Sequence, residues 1–272
     1  MLVTVRHRRL TVHLALVITM MLASCASLLL APGRAYAAGT ISLIDGSTYS
    51  QDFDTLASAG TSSSVPNGWD FVEQGTSSTA NGLYTAGTGS SNTGDTYSFG
   101  QADSTERAFG GLLSGTLIPT IGASFTNNTG MPITALDIAY TGEQWRLGAT
   151  ERADRLDFQY SLDATSLTTG TWTDVDALDF VGPNTAGTAG ARDGNAPENR
   201  AEISFTITGL HIPDGSSFWI RWSDFNASGA DDGLAIDDFT LTPIFTVTPT
   251  NPSGAGSATP SSVAAGGQTL LA

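Results

Sequence analysis

The stretch Asp154-Arg155-Leu156-Asp157-Phe158-Gln159-Tyr160-Ser161-Leu162-Asp163 alternates apolar and polar side chains with a period of two. Successive side chains of a β-strand point to opposite faces, so Leu156, Phe158, Tyr160 and Leu162 share one face and the polar residues share the other. This pattern is typical of a strand that buries one face against a core. The stretch therefore predicts a half-buried β-strand.

The same alternation recurs in other parts of the chain, and no window of helical length has an apolar stripe with a 3.6-residue period. Clusters of Gly, Asn, Ser, Thr and Asp separate the alternating windows and read as turns and loops. Many short strands with such turn signals predict an all-β domain over residues 38–245, a two-sheet antiparallel β-sandwich of jelly-roll type. The further alternating sets are Leu136, Ile138 and Tyr140; Ile203, Phe205 and Ile207; and Phe218, Ile220 and Trp222.

The N-terminal residues 1–37 have the organisation of a signal peptide. A basic segment precedes an apolar run from about residue 10 to residue 30, and Ala35-Tyr36-Ala37 supplies the small residues that signal peptidase accepts. We therefore expect a secreted protein that begins at Ala38 and retains no membrane span. The alternative is a lipoprotein box, Leu22-Ala23-Ser24-Cys25, which would leave a protein anchored through a lipid on Cys25.

Loss of the leader would remove Cys25, the single cysteine, so the exported domain can form no internal disulfide. The chain has a formal charge of −15, and all 26 acidic residues follow the leader while four of the 11 Arg lie within it. A surface this acidic repels phosphate backbones, so we expect no direct nucleic-acid binding and look to cations as partners.

Residues 246–272 differ in composition from the preceding domain. The segment from Thr246 to Ser257 is rich in Pro, Gly, Ser and Thr and is typical of a flexible linker. Residues 258–272 are similar to the opening of a further β domain that stops too soon to fold. The sequence predicts a flexible tail here.

Two motifs near the ends of the domain resemble known modules. Gln51-Asp52-Phe53-Asp54-Thr55-Leu56, followed by Gly68-Trp69, is answered by Ala235-Ile236-Asp237-Asp238-Phe239-Thr240-Leu241. The pair resembles the MAM domain and the jelly-roll carbohydrate-binding modules. Gly142 to Arg146 and Phe218 to Asp224 look like the N-terminal region of large secreted bacterial proteins, some of which carry a nuclease domain further downstream.

The segment Asp224-Phe225-Asn226-Ala227-Ser228-Gly229-Ala230-Asp231-Asp232-Gly233 is a candidate calcium loop. Oxygen side chains at its first, third and fifth positions, with Gly at the sixth, can wrap a hard cation. The bidentate acid of an EF-hand loop is missing at the twelfth position, Ala235. The candidate Ca²⁺ ligands are Asp224, Asn226, Ser228 and Asp231, and an ordinary turn is equally compatible with the sequence.

Asp237 and Asp238 form a second candidate cation site. Continued alternation places Asp237 on the face of Ala235, Phe239 and Leu241, where a carboxylate must be paired, hydrogen-bonded or metal-bound. The resemblance implies that a structural Ca²⁺ ties this strand to the N-terminal one, which would bring Asp52 or Asp54 close. Pairing with an arginine or with backbone amides is the alternative.

Material for catalysis is sparse, and we expect no enzyme. His211 is the only histidine after the leader, and there is neither a second cysteine nor a Gly-x-Ser-x-Gly motif. Paired carboxylates for glycan cleavage remain an alternative because acidic residues abound. A second alternative is that the chain is the accessory N-terminal part of a secreted nuclease.

Ligand binding has four candidate residues. Trp219 and Arg221 lie on the strand face opposite Phe218, Ile220 and Trp222, where an aromatic ring and a forked donor can stack on and hydrogen-bond a sugar. Trp145 and Arg146 are candidates to join them. The alternative places Trp219 under a loop. The sequence thus predicts a secreted, non-catalytic, calcium-stabilised β-sandwich that binds an extracellular glycan or cell-surface polymer, or acts as a spacer.

Overall fold

The computed structural model describes residues 39–246 and the backbone of a three-residue strand at 262–264. The predicted signal peptide at 1–37, the candidate lipidation site Cys25 and the rest of the predicted tail lie outside the described residues. Among the residues described, no helix is both long and apolar enough to cross a membrane.

Within the described residues, the regular secondary structure is strands and two short 3₁₀ turns, Asp176–Leu178 and Pro197–Asn199. The strands are β1 (Ile41–Leu43), β2 (Tyr49–Gln51), β3 (Thr61–Ser62), β4 (Trp69–Gly75), β5 (Tyr84–Gly87), β6 (Asp95–Phe99), β7 (Ala108–Leu112), β8 (Leu117–Asn127), β9 (Ile133–Leu147), β10 (Arg155–Ser161), β11 (Thr173–Asp174), β12 (Phe180–Val181), β13 (Gly190–Ala191), β14 (Arg200–Ile212), β15 (Ser217–Asp224), β16 (Gly233–Thr246) and β17 (Ser262–Ala264).

These strands form two sheets. The seven-stranded sheet has the order β1-β8-β15-β10-β11, with β4 also paired to β8 and β12 to β10. The ten-stranded sheet has the order β13-β9-β16-β7-β6-β5-β3, with β14 on β9 and with β2 and β17 on β16. All pairings are antiparallel except β1 with β8 and β5 with β6. The predicted all-β, two-sheet sandwich is confirmed.

The main core lies between the sheets and is rich in aromatic rings. Trp222 of β15 is 1% exposed and contacts rings from both sheets, since its centroid lies 6.1 Å from Trp69 and 5.7 Å from Phe239. Tyr140 and Phe158 pack edge-on against it at 5.3 and 5.1 Å. Burying such rings supplies most of the driving force for a domain without disulfides.

The predicted alternation is confirmed for most of its residues. Leu156 and Phe158 of β10 are buried, whereas Leu162 lies just beyond the strand and is 44% exposed. In β14, an edge strand that pairs only with β9 among the described strands, Phe205 is 43% exposed because the core thins at the edge. Tyr160 and Ile203 are half-buried. The remaining predicted core residues in this set are buried: Leu136, Ile138, Tyr140, Ile207, Phe218, Ile220 and Trp222.

A second, smaller core lies on the opposite side of the ten-stranded sheet. It contains stacked rings, with Phe99 4.9 Å from Tyr97 and 6.0 Å from Trp145. Leu234 and Ile236 belong to the main core while Ala235 between them belongs to the second, as strand alternation requires. The members of this second core are Tyr97, Phe99, Ala108, Leu112, Trp145 and Ala235.

The C-terminal end of the domain extends further than the sequence indicated. Thr246, predicted to open the flexible linker, is the last residue of β16. Residues 262–264 then pair antiparallel with Ile244, Phe245 and Thr246. The part of the predicted tail that the structure describes is therefore strand.

Candidate metal centre and ligand face

Three acidic side chains converge on the outer side of the ten-stranded sheet. Glu143 lies on β9 and Asp237 on the neighbouring β16, while Glu106 lies in the connection just before β7. One carboxylate oxygen from each of the three lies within 4.8 Å of the others. Glu143 is 0% and Asp237 6% exposed, and Glu106 is half-buried.

A β-bulge aims Asp237 into this group. The register between β16 and β9 shifts between Asp237 and Thr240, and Asp238 adopts the left-handed region at φ 49°. Asp is one of the residues that tolerates this conformation. The bulge separates Asp237 from Phe239 and Leu241, which face the main core. The expectation that Asp237 shares a face with those two residues was therefore wrong, whereas it does share one with Ala235.

The carboxylates are incompletely satisfied by the protein. Trp145 Nε1 donates to Glu143 Oε2 at 2.8 Å, and Asn195 Nδ2 donates to Glu106 Oε2. One oxygen of each group, Glu106 Oε1, Glu143 Oε1 and Asp237 Oδ1, is buried without a hydrogen-bond partner among the described residues. Buried acceptors without partners are rare, because each lowers the free energy of unfolding by about 1–3 kcal/mol. The cost is larger when the group is charged.

Burial dominates the electrostatics of the group. Burial, followed by the charges of Glu143, Asp238 and Glu106, raises the pKa of Asp237 to about 9. Burial and the nearby Glu106 likewise raise the pKa of Glu143 to about 7, partly offset by the Trp145 hydrogen bond and by Arg200. A cluster of three carboxyl groups fits a hard divalent cation, which would be the partner that the buried oxygens lack.

Of the two N-terminal acids predicted as ligands, Asp54 lies near this group. Asp54 is exposed, and its Oδ1 accepts from the backbone N–H of Arg107 at 3.1 Å, next to Glu106. Asp52 is exposed and accepts from the Asp54 N–H at 3.3 Å, and Asp238 is also exposed. Asp237 is therefore brought together with Glu106 and Glu143 rather than with Asp52 or Asp54.

The predicted loop site at residues 224–233 is arranged around an arginine. The Arg152 guanidinium lies 3.0 Å from Asp154 and 3.3 Å from Asp232, with both carboxylates buried. Its Nε donates to the Ser228 carbonyl at 3.0 Å and its Nη2 donates to the Ala230 carbonyl. The guanidinium thus occupies the centre of an oxygen set of the kind that a calcium loop offers to its ion.

The side chains predicted as ligands in this loop are dispersed. Asn226 and Ser228 are exposed, and Asp231 Oδ1 accepts from the Ala227 N–H at 3.0 Å. Asp224 is buried, and its Oδ2 accepts from the Leu113 N–H at 3.0 Å while Oδ1 has no described partner. Burial, with Asp154 and Asp231 nearby, raises the pKa of Asp224. The positive charge at the centre of this loop is therefore the guanidinium of Arg152.

Trp145 and Arg146 are not positioned as predicted for a ligand. Trp145 is 0% exposed, and its ring stacks on Phe99 in the second core, so it has no free face for a sugar. Arg146 Nη1 donates to the carbonyls of Gly89 and Ser90 at 3.0 and 3.3 Å. Sequence reasoning named Trp145 as a candidate ligand residue because it could not reveal the loops that cover this ring.

Trp219 and Arg221 lie on the outer face of the seven-stranded sheet, as predicted. Both are half-buried, between the buried residues Phe218, Ile220 and Trp222. Arg221 Nε and Nη2 donate to Gln159 Oε1 at 2.8 and 2.6 Å, and Nη1 donates to the Leu167 carbonyl at 2.6 Å.

Trp172 completes this outer face. The Arg221 guanidinium carbon lies 3.9 Å from the Trp172 ring centroid, a cation–π contact. The same arginine therefore holds residues 162–172 against the sheet through Leu167 and Trp172. Trp172 is itself half-buried and was not singled out from the sequence, because it stands in a turn-rich segment without alternation.

No protein-family model and no curated protein matches the chain. Among solved structures, the chain is similar to the K1 cleaved adhesin domain of Lys-gingipain from Porphyromonas gingivalis W83, with 12% identity, a TM-score of 0.39, and 72% of this chain and 98% of that one covered. The K3 cleaved adhesin domain of the same protein matches with 13% identity and a TM-score of 0.38, and the match covers 65% of this chain and 93% of that one. TmCBM61, solved in complex with β-1,4-galactotriose, matches with 13% identity and a TM-score of 0.28, and the match covers 52% of this chain and 74% of that one. At this distance the likenesses assign neither a ligand nor an activity to the chain.

Proposed function

We propose that the protein is an extracellular, non-catalytic β-sandwich binding module that Ca²⁺ stabilises. The observation that supports it most is the convergence of Glu106, Glu143 and Asp237, each with a buried oxygen that lacks a protein partner. Carboxylate oxygens are the ligands of Ca²⁺, which accepts irregular shells of six to eight oxygens at about 2.3–2.6 Å. Water and backbone oxygens would complete the shell.

Calcium is expected to raise the melting temperature through this site. For a ligand that binds only the folded state, a hundredfold excess over Kd adds about 2.7 kcal/mol to the free energy of unfolding. In a domain of this size that corresponds to a rise of about 5–10 °C in Tm. Thermal unfolding in Ca²⁺ and in EDTA measures it, and Glu143→Gln and Asp237→Asn should each abolish most of the difference.

Three controls separate this site from general charge screening. Mg²⁺ or NaCl at matched ionic strength should stabilise much less, because Mg²⁺ demands octahedral geometry and retains its waters. Asp103→Asn, at an exposed acid near Glu106, should keep the calcium response. Asp224→Asn should keep it too, since the loop at 224–233 is organised around Arg152. An identical Tm in Ca²⁺ and EDTA for the native protein would remove the cation from the proposal.

A glycan is the proposed ligand, bound on the outer face formed by Trp172, Trp219 and Arg221. Half-buried indoles present flat apolar surface on which a sugar ring stacks, and they lose little conformational entropy on binding. The cation–π contact and the Gln159 hydrogen bonds fix the orientation of Arg221 and Trp172. This face is therefore preorganised on strands and a clamped loop.

Replacing the two indoles tests the ligand face. In affinity electrophoresis against soluble neutral and uronic-acid polysaccharides, we expect retardation by at least one polymer. Trp172→Ala with Trp219→Ala should weaken that binding by about tenfold or more, as for stacked aromatic anchors. Phe205→Ala, an exposed aromatic on the edge strand β14, is the matched control. Retardation that survives the double substitution would place the ligand elsewhere, and no retardation by any polymer would count against a glycan.

The non-catalytic and extracellular parts of the proposal have separate support. Glycoside hydrolysis needs two carboxyls facing each other across the sugar, about 5–9.5 Å apart, whereas Glu106, Glu143 and Asp237 pack against one another. His211 is exposed on the edge strand β14. The signal-peptide pattern of residues 1–37 supports export.

A further inference from the structure

The three carboxylates of the candidate metal centre are held with unequal firmness. Glu143 and Asp237 belong to adjacent strands whose ladder pairs Ala235 with Glu143 and Asp237 with Thr141. Glu106 lies outside the strands, in the connection 100–107 between β6 and β7. Of the three side chains, Glu106 has the backbone that can move with the least disruption of the sheets.

Glu106 is connected through a second loop to Trp145. Asn195 Nδ2 donates to Glu106 Oε2, and Asn195 lies in residues 192–196, which cover the Trp145 indole. The Arg192 N–H donates to the Trp145 carbonyl at 2.7 Å. A β-carbon at Gly194 would lie 2.3 Å from Trp145 Nε1, so the loop sits directly on the ring.

These contacts form a chain whose two ends, Glu143 and Glu106, a bound cation would join. Trp145 Nε1 donates to Glu143, so Glu143, Trp145, residues 192–196, Asn195 and Glu106 are linked in sequence. A cation bound between Glu143, Asp237 and Glu106 would connect the last residue of this chain to the first. The covered rings belong to the second core, which is separate from the core between the sheets.

We propose that cation binding at Glu106, Glu143 and Asp237 closes the loops 100–107 and 192–196 over the second core. This inference rests on the proposed cation site. Without the cation, one oxygen of each of the three carboxyl groups is buried with no hydrogen-bond partner among the described residues, which is unfavourable until water reaches it. Outward movement of Glu106 admits water most easily, and it takes Asn195 and its loop away from Trp145. The main sandwich stays folded.

Hydrogen exchange on the full exported chain, in Ca²⁺ and in EDTA, tests this coupling. Amides in 100–107 and 192–196 are expected to exchange about tenfold or more faster in EDTA, as for local opening, while those of β8 and β15 keep their rates. Quenching of tryptophan fluorescence by acrylamide should rise in EDTA. Trp145→Phe should remove that increase, because Trp145 is the ring that the loop uncovers.

Two substitutions in the same loop sharpen the test. Glu106→Gln removes one charge and keeps a hydrogen-bonding side chain, so the loops should exchange slowly in EDTA and no longer respond to Ca²⁺. Asp103→Asn should respond as the native chain does. Exchange that accelerates equally throughout both sheets, or loops that ignore Ca²⁺ although Tm rises, would overturn the coupling alone. A chain in which neither Tm nor exchange responds to Ca²⁺ would overturn the cation site as well.

Discussion

Replacing Arg152 with alanine is expected to lower the free energy of unfolding by about 3–5 kcal/mol, the usual cost of breaking a buried ion pair from one side. The guanidinium contacts Asp154 and Asp232, whose side chains are 0% and 1% exposed. Its loss leaves two buried carboxylates without their cation. It also releases the Ser228 and Ala230 carbonyls, which anchor the loop that leads into β16. Chemical denaturation with a two-state fit measures the change.

Arg192→Ala is the matched control for this prediction. Arg192 is half-buried, and the described hydrogen bonds of its side chain go to the carbonyls of Ala191 and Thr188. Its removal should change the free energy of unfolding by less than about 1 kcal/mol. In the Arg152→Ala background, Asp154→Asn should recover part of the loss by removing one unpaired charge. Equal effects of the two arginine substitutions would show that Arg152 is not the local counter-ion.

The fold was predictable because its signal is local. Period-two alternation in windows such as 136–140 and 218–222 depends only on which face of a strand meets the core, and the predicted core residues of both windows are buried as expected. Where alternation met the edge of the sandwich it predicted too much burial. Phe205 has the right neighbours in sequence but lies on an edge strand, where the opposing sheet no longer covers it.

The acidic cluster of the candidate metal centre was predictable only in part because it depends on one bulge and one long-range convergence. The sequence correctly singled out Asp237 as a buried carboxylate that needs a partner. Alternation cannot reveal the extra residue at Asp238. This residue reverses the sheet face to which the following side chains of β16 point. Glu106 and Glu143 are brought to Asp237 by the pairing order of β7, β16 and β9, which no short motif encodes.

The predicted ligands of the loop at 224–233 are dispersed for a different reason. Its oxygen-rich composition was read correctly, yet composition does not say which cation fills the loop. Arg152 lies far from the loop in sequence and enters it through β10 and β15, which pair Leu156 with Asp224. In a chain with so few basic residues, a single arginine therefore changes the interpretation of the whole loop.

Trp222→Ala is expected to lower the free energy of unfolding by about 3–5 kcal/mol, the range for removing a large aromatic from a core. The ring contacts Trp69, Tyr140, Phe158 and Phe239 and so joins the two sheets. Trp219→Ala, three residues earlier on the opposite face of β15, should cost much less because that ring is only half-buried. Since no disulfide within residues 39–246 holds the sheets together, the larger loss should appear as a lower denaturation midpoint with an unchanged slope. A Trp219→Ala effect as large as that of Trp222→Ala would mean that the outer face is packed as a core, and the proposed ligand face would fall with it.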